Sequence, residues 1–410
     1  MSKVLTTLVS FLGRARQDPK TGYRTAHYRF ADGSTHTTPF FGLALREVIR
    51  PERLVLLGTA GSMWDVLIEQ LAVAGEDEEL RLRLIEAATE NRVDDALLAE
   101  VVPLVERALG LPCVLRLIDY GRDADGQARI LDVIAAAVPA GRVALDLTHG
   151  FRHLAAVGLL SALFLERVRG LNIASVYYGA HEMTENDQTP VIQLDGLLAI
   201  AHWIDALGRF DQNGDYSLFA PLLEADGVAA DKVGCLRDAA FFERTLNLSD
   251  ARRRIQTFLP ALDRPLAGVS GLFQDALRQR LAWVRGGTLS EHQRRLAEFY
   301  LEQRDYVRAA ILGFEAVVTR ECERRKSGWH DHQEDRKPAA EAYEAEIKAG
   351  EHSRAVCDAY WTLKNVRNAL AHGNPAALEK VRQIVVSPEQ LPLELRRALD
   401  QLTQSFTTRE

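Results

Sequence analysis

The chain has 410 residues, 47% of them hydrophobic and 26% charged, with a net charge of -7 at neutral pH. This length exceeds one ordinary core and points to two or three globular domains. The composition excludes a membrane-spanning chain, because no apolar run reaches the ~18 residues a span needs, and the negative balance does not suit a protein that coats nucleic acid through a long-range positive field.

Met1-Ser2-Lys3 leads directly into a strand-like segment rather than a secretory signal, so a cytoplasmic location is expected. Cys113, Cys235, Cys322 and Cys357 are scattered without CxxC pairing, which argues against a zinc ribbon or a disulfide framework. Basic runs at Arg252-Arg253-Arg254 and Arg324-Arg325-Lys326 suit solvated helix faces, or the grip on a short strand of nucleic acid.

Val4 to Leu12 reads as a buried strand closed by Gly13-Arg14, and Tyr23 to Thr38 as a hairpin turning at Asp32-Gly33. A helix over Pro39 to Ile49 precedes a second buried strand, Leu54 to Leu57, which runs through Gly58-Thr59-Ala60-Gly61-Ser62 into another helix at Met63. Helical periodicity covers Glu78 to Leu109. A strand from Cys113 to Ile118, a helix from Gln127 to Val138 and a strand from Val143 to Leu147 follow. Phe151 to Val168 is helical, Ile173 to Tyr178 is a strand, and Val191 to Leu194 a short one. Strands alternating with helices imply an α/β domain with a parallel sheet covered on both faces. Beyond Leu197 the pattern turns helical, with helices at Cys235 to Leu246, Leu272 to Val284, His292 to Leu301, Tyr306 to Arg324 and Arg354 to Leu370. The expected division is a Rossmann-like domain over 1–195, a helical linker over 196–234 and an all-α domain over 235–410.

Asp146-Leu147-Thr148-His149-Gly150-Phe151-Arg152-His153 is a strand-to-helix switch whose donors suit an anion. Gly58 to Ser62 lacks the Lys-Ser/Thr ending of a P-loop and the three glycines of the dinucleotide fingerprint. Yet Gly13, Arg14, Thr59, Ser62, Thr148, His149, Gly150 and Arg152 each follow a strand and should rim one edge of the sheet as ligand-binding residues; the plain alternative is a set of tight turns. Asp146 is expected to fix its turn by local hydrogen bonds rather than to orient His149 as a base.

A second constellation, Arg367-Asn368-Ala369-Leu370-Ala371-His372 before Gly373-Asn374-Pro375, ends a helix whose apolar stripe is Val356, Ala359, Leu363, Val366 and Leu370. At ~100° per residue Arg367 flanks that stripe and His372 points almost opposite to it. They converge either where Gly373 ends the helix and turns the imidazole, or where a second copy supplies the partner. An imidazole that moves a proton between a ribose 2′-hydroxyl and a leaving 5′-oxygen, with a guanidinium on the phosphate, makes a catalytic set of Arg367, Asn368 and His372. A surface ion-pairing arginine and a capping histidine are the ordinary alternative, and Arg325 to His330 repeats the spacing across a polar loop. The His330-Asp331-His332 cluster with Glu334 and Asp335 is too flexible a ligand set, so no metal is expected.

Taken together, Asp146 to His153 resembles the signature of the CRISPR-associated DxTHG-motif proteins, and the Arg-Asn-x-x-x-His hexamer looks like the catalytic motif of HEPN ribonucleases. Tyr177-Tyr178-Gly179-Ala180 and the Trp203 to Asp215 connection agree. The resemblance implies a CARF (CRISPR-associated Rossmann fold) sensor joined to a HEPN-type domain. It implies no cofactor, but a cyclic oligoadenylate, tetra- or hexa-adenylate, as allosteric activator. It further implies single-stranded RNA as substrate, a metal-independent endoribonuclease, no membrane partner, and a homodimer or higher homo-oligomer. The alternatives are a non-catalytic nucleotide-responsive regulator, or a sensor that degrades its own ligand with Thr148 or His149 placing the ribose hydroxyl.

Overall fold

The structure is a computed structural model that describes residues 5–14, 17–18, 22–23, 25–71, 78–325, 333–373 and 376–407. The chain divides into two compact units, Met1–Leu198 and Ala199–Glu410.

The strands of the first unit are β1 (Thr6–Leu12), β2 (Gln17–Asp18), β3 (Gly22–Tyr23), β4 (Ala26–Arg29), β5 (Thr35–Thr38), β6 (Arg53–Gly58), β7 (Cys113–Leu117), β8 (Arg142–Asp146), β9 (Asn172–Gly179) and β10 (Thr189–Gln193). Its helices are α1 (Phe41–Ile49), α2 (Trp64–Gln70), α3 (Glu78–Thr89), α4 (Asp95–Leu109), α5 (Ala124–Ala137) and α6 (Arg152–Arg167). Eight strands form one sheet in the order β5-β4-β10-β9-β8-β1-β6-β7. The five strands β9-β8-β1-β6-β7 are parallel, as the β-α alternation requires. The other end departs from an all-parallel sheet: β10 runs antiparallel to β9, because the connection between them is too short for a crossover. The β4–β5 hairpin then extends the sheet through β10. Its turn is held at Asp32, whose Oδ1 accepts from the Ser34 backbone N–H and hydroxyl.

Side chains of β1 alternate between two cores. Leu8 and Leu12 join the cluster under α1, α2 and α4, whereas Val9 and Phe11 join the one under α5 and α6. Helices therefore cover both faces of a Rossmann-like sheet, and each fully buried aliphatic side chain contributes about 1.5–3 kcal/mol. Ser10 interrupts the first face. It lies in register with Asp146 of β8, and α1 presses against it so closely that a Cβ at Gly42 would stand 2.4 Å from its Oγ.

The second unit is helical. After α7 (Asp195–Asn213), which begins before the division, come α8 (Ala220–Ala225), α9 (Ala230–Arg244), α10 (Leu248–Phe258), α11 (Ser270–Arg280), α12 (Leu289–Glu302), α13 (Tyr306–Arg325), α14 (Gln333–Ala349), α15 (Arg354–His372), α16 (Glu379–Val385) and α17 (Gln390–Thr407). Residues 199–234, most of the stretch expected as a linker, are built into this unit: Trp203, Phe210, Phe219 and Leu223 share a core with Leu236, Ile255 and Leu277. A second core joins α12, α13, α15 and α17. Among the described residues no helix is long and apolar enough to cross a membrane.

Candidate functional site

From β1 the chain steps outward to β6 and β7, then returns to β8 on the opposite side of β1. The crevice at the carboxyl ends of β1 and β8 is thus the switch point of the sheet, where open α/β sheets take ligands. Gly13-Arg14 and Thr148 to Arg152 flank it. The two loops touch there, since a Cβ at Gly13 would lie 2.8 Å from the Gly150 amide nitrogen.

Asp146 anchors this edge from beneath. Fully buried, it accepts the Ser10 hydroxyl proton on Oδ2 at 2.5 Å and the Thr148 N–H on Oδ1 at 2.8 Å. Burial pushes its carboxyl up to about 6 against the pull of those hydrogen bonds. Thr148 continues the chain of contacts, its Oγ1 accepting the Gly179 N–H at 2.8 Å. His149 packs inward, where the Phe41 N–H at the start of α1 donates to its Nε2 at 3.0 Å. That donor requires a lone pair on Nε2, so the ring is neutral with its proton on Nδ1. Desolvation, and secondly the nearby His181, pull its pKa down to about 3.

Thr59 and Ser62 are 5% and 3% exposed. Ser62 Oγ accepts from the Thr59 N–H at 2.9 Å and donates to the Leu12 carbonyl at 2.8 Å, and the Met63 N–H donates to the Gly13 carbonyl. These hydroxyls brace the β1 loop. Arg14, Gly150 and Arg152 are exposed, and α6 starts at Arg152 with no side-chain cap on its first turn. An amide terminus without a side-chain cap, in a stretch that carries exposed arginines, suits an anion.

In the helical unit α15 carries Arg367, Asn368 and His372. Its buried stripe contains Val356, Ala359, Leu363 and Val366, with Leu370 partly buried against the same core. The helix runs to His372 and stops at Gly373, whose φ of 62° is the left-handed stop that glycine supplies. His372 is exposed. Arg367 is held instead against α13: Nη2 faces Glu315 Oε1 at 3.5 Å, Nη1 donates to Asn368 Oδ1 at 2.9 Å, and the guanidinium lies 5.1 Å from the Phe314 ring centroid. Helical geometry to the end of α15 keeps Arg367 and His372 roughly 140° apart around the axis, so one copy of the helix does not bring them together. Asn374 and Pro375 lie outside the described residues, as do His330, Asp331 and His332 and the side chains of Glu334 and Asp335. Among the described residues no group of three or more His, Cys, Asp or Glu side chains could hold a metal ion.

The family model described as "CRISPR system endoribonuclease Csx1, CARF domain" matches residues 7–180, the stretch from β1 to just past β9. Residues 7–180 are therefore similar to a CARF domain, and the chain resembles CRISPR-associated proteins that carry one. A curated relative, the CRISPR-associated protein MJ1674 of Methanocaldococcus jannaschii, is 26% identical over 286 residues. The match covers 63% of this chain and 44% of that protein, so the chain spans less than half the length of its relative.

Within the CARF domain, sequence reasoning passed over Ser10, His181 and Phe41. Ser10 carried a usable signal, a hydroxyl between the apolar residues Val9 and Phe11 of a buried strand; His181 did not, because its meeting with Tyr28 Oη at 3.0 Å depends on a long-range pairing. In the helical unit the residue missed is Glu315, which occupies the Arg367 guanidinium from another helix.

Proposed function

We propose that the chain is a CRISPR ancillary endoribonuclease of antiviral defence, switched on by a cyclic oligoadenylate at the CARF domain. In this reading the helical unit is of the HEPN type and cleaves single-stranded RNA without a metal. The CARF match carries the sensor half, since such domains imply ligands of the cyclic-oligoadenylate type. What supports the ribonuclease half is the placement of the hexamer on the last turns of a well-formed helix, stopped by Gly373 directly after His372.

In the proposed reaction His372 accepts the 2′-hydroxyl proton as that oxygen attacks the neighbouring phosphorus, the P–O5′ bond breaks, and the 5′-oxygen takes up a proton. Arg367 holds the phosphate as charge builds on its free oxygens, and Asn368 orients it. Because Glu315 and Asn368 occupy the guanidinium in this state, activation includes releasing Arg367 toward substrate. The reading in which the sensor degrades its own ligand has less support: His149 Nε2 already accepts the Phe41 N–H, so the ring is no free base there.

The test is cleavage of single-stranded RNA with and without cyclic tetra- or hexa-adenylate, in EDTA. Cleavage should need the activator and survive chelation. His372→Ala should abolish cleavage and leave activator binding intact; loss of both together would overturn this division of labour.

A further inference from the structure

A cavity of about 590 Å³ opens in the helical unit, lined by residues of α10, α12, α13 and α14 that, Glu315 apart, have no part in the proposed reaction. Such a volume accommodates a nucleotide-sized group. At its wall stands Gln293 of α12, only 7% exposed, whose Oε1 has no hydrogen-bond partner among the described residues. A buried carbonyl left without a donor is costly, and a ligand in the cavity that brings an N–H donor would relieve that cost.

The remaining lining narrows the ligand class. Leu248, Leu289 and Leu312 give apolar surface for a flat ring. Two carboxylates, Asp250 and Glu315, are matched by two guanidinium groups, Arg253 and Arg336, and each arginine is paired with its carboxylate. The balance favours a neutral polar group over a phosphate or a metal cation. At Gln293 Oε1 an exocyclic amino group donates an N–H, whereas a keto oxygen in the same place would be repelled. Glu315 also joins the cavity to Arg367, because the carboxylate that lines it is the one facing that guanidinium at 3.5 Å.

We propose that this cavity is a base-reading pocket for the RNA substrate, selecting an amino-bearing nucleobase through Gln293. The proposal rests on the ribonuclease reading: a phosphate that replaces Glu315 at Arg367 brings a neighbouring base to the cavity mouth. Displacing Glu315 then frees the guanidinium and opens the pocket in one step.

Binding of short oligocytidylate and oligouridylate to the 410-residue His372→Ala chain, followed by fluorescence anisotropy, tests it. This pair differs at the base edge and keeps adenylate away from the CARF domain. Oligocytidylate should bind about tenfold more tightly, and Gln293→Leu in the same background should remove that difference and leave oligouridylate binding within about twofold. Gln293→Met, matched in length, should do the same, and unchanged thermal unfolding separates the effect from misfolding. Equal affinity for the two oligomers, or a preference that survives both substitutions, overturns the pocket. So does CMP binding as tightly as the oligomer with the same dependence on Gln293, which marks a mononucleotide site instead. If the unsubstituted chain cleaves no RNA with any activator, the ribonuclease reading falls by itself; the binding preference and its loss on substitution still decide the pocket.

Discussion

At the scale of single residues, the CARF edge depends on two groups whose protonation responds to burial in opposite senses. Asp146 is pushed up to about 6 from an ordinary value near 4, so the folded state holds its proton more tightly. Its contribution is fully present below the unfolded value and is lost as pH rises through about 6. His149, pulled down to about 3, stays neutral in the fold while the unfolded chain protonates, so its contribution is lost as pH falls below about 6.5. Asp146→Asn keeps the shape and an acceptor for the Thr148 N–H, and its amide can donate to Ser10. We expect it to stabilise β1 and β8 at pH 8 by up to about 3 kcal/mol and to have little effect near pH 4. Amide hydrogen exchange of the full chain at several pH values measures this; equal protection of variant and parent at pH 8 would refute the assignment. The His149 side chain should show no titration between pH 5 and 8 by NMR, and a midpoint in that range would mean the Phe41 contact does not hold the ring.

At the scale of elements, the rim is two loops in contact, and Gly13 is where they meet. Gly13→Ala sets a methyl group 2.8 Å from the Gly150 backbone nitrogen, a neighbour that cannot rotate away. The substitution should cost about 1–3 kcal/mol and weaken cyclic-oligoadenylate binding, measured by calorimetry; unchanged affinity would place the ligand away from the β1–β8 crevice. The elements themselves were legible because their signals are local. From Leu8 to Leu12 only Ser10 interrupts the apolar run of β1, since both its faces are covered, and the stripe of α15 repeats at three and four residues. Pairing was less legible. That the β4–β5 hairpin would extend the main sheet through β10 depends on partners roughly 160 residues apart, which no local pattern encodes. The stretch 196–234 reads in sequence as a helical linker, yet Asp215 within it is buried, its side chain accepting from Ser217 and Arg244 within the helical unit. The same limit applies to the sites: Thr59 and Ser62 were placed by strand ends, and only packing reveals that their hydroxyls turn inward.

At the scale of the whole molecule, the proposed ribonuclease requires Arg367 and His372 to act on one phosphate. They lie on different sides of a helix that stays regular to its last residue, and Arg367 is held by Glu315 within its own chain. A site completed by a second copy resolves the geometry, with Arg367 of one chain serving His372 of its partner, and a symmetric cyclic activator suits the two-fold arrangement this requires. In this proposal activator binding acts as a population shift toward the pairing in which both sites are complete. Mixing chains tests this. An Arg367→Ala chain and a His372→Ala chain are each inactive alone, but in a mixed dimer one of the two sites receives an intact Arg367 and an intact His372. Random pairing puts half the chains in mixed dimers with one working site each, so the mixture should recover roughly a quarter of the parent's activator-dependent cleavage. No recovery, in a mixture whose subunit exchange is confirmed by mass spectrometry, would mean that both residues must come from one chain or that every copy is needed at once. In that case α15 would have to bend at its carboxyl end to turn His372 toward Arg367.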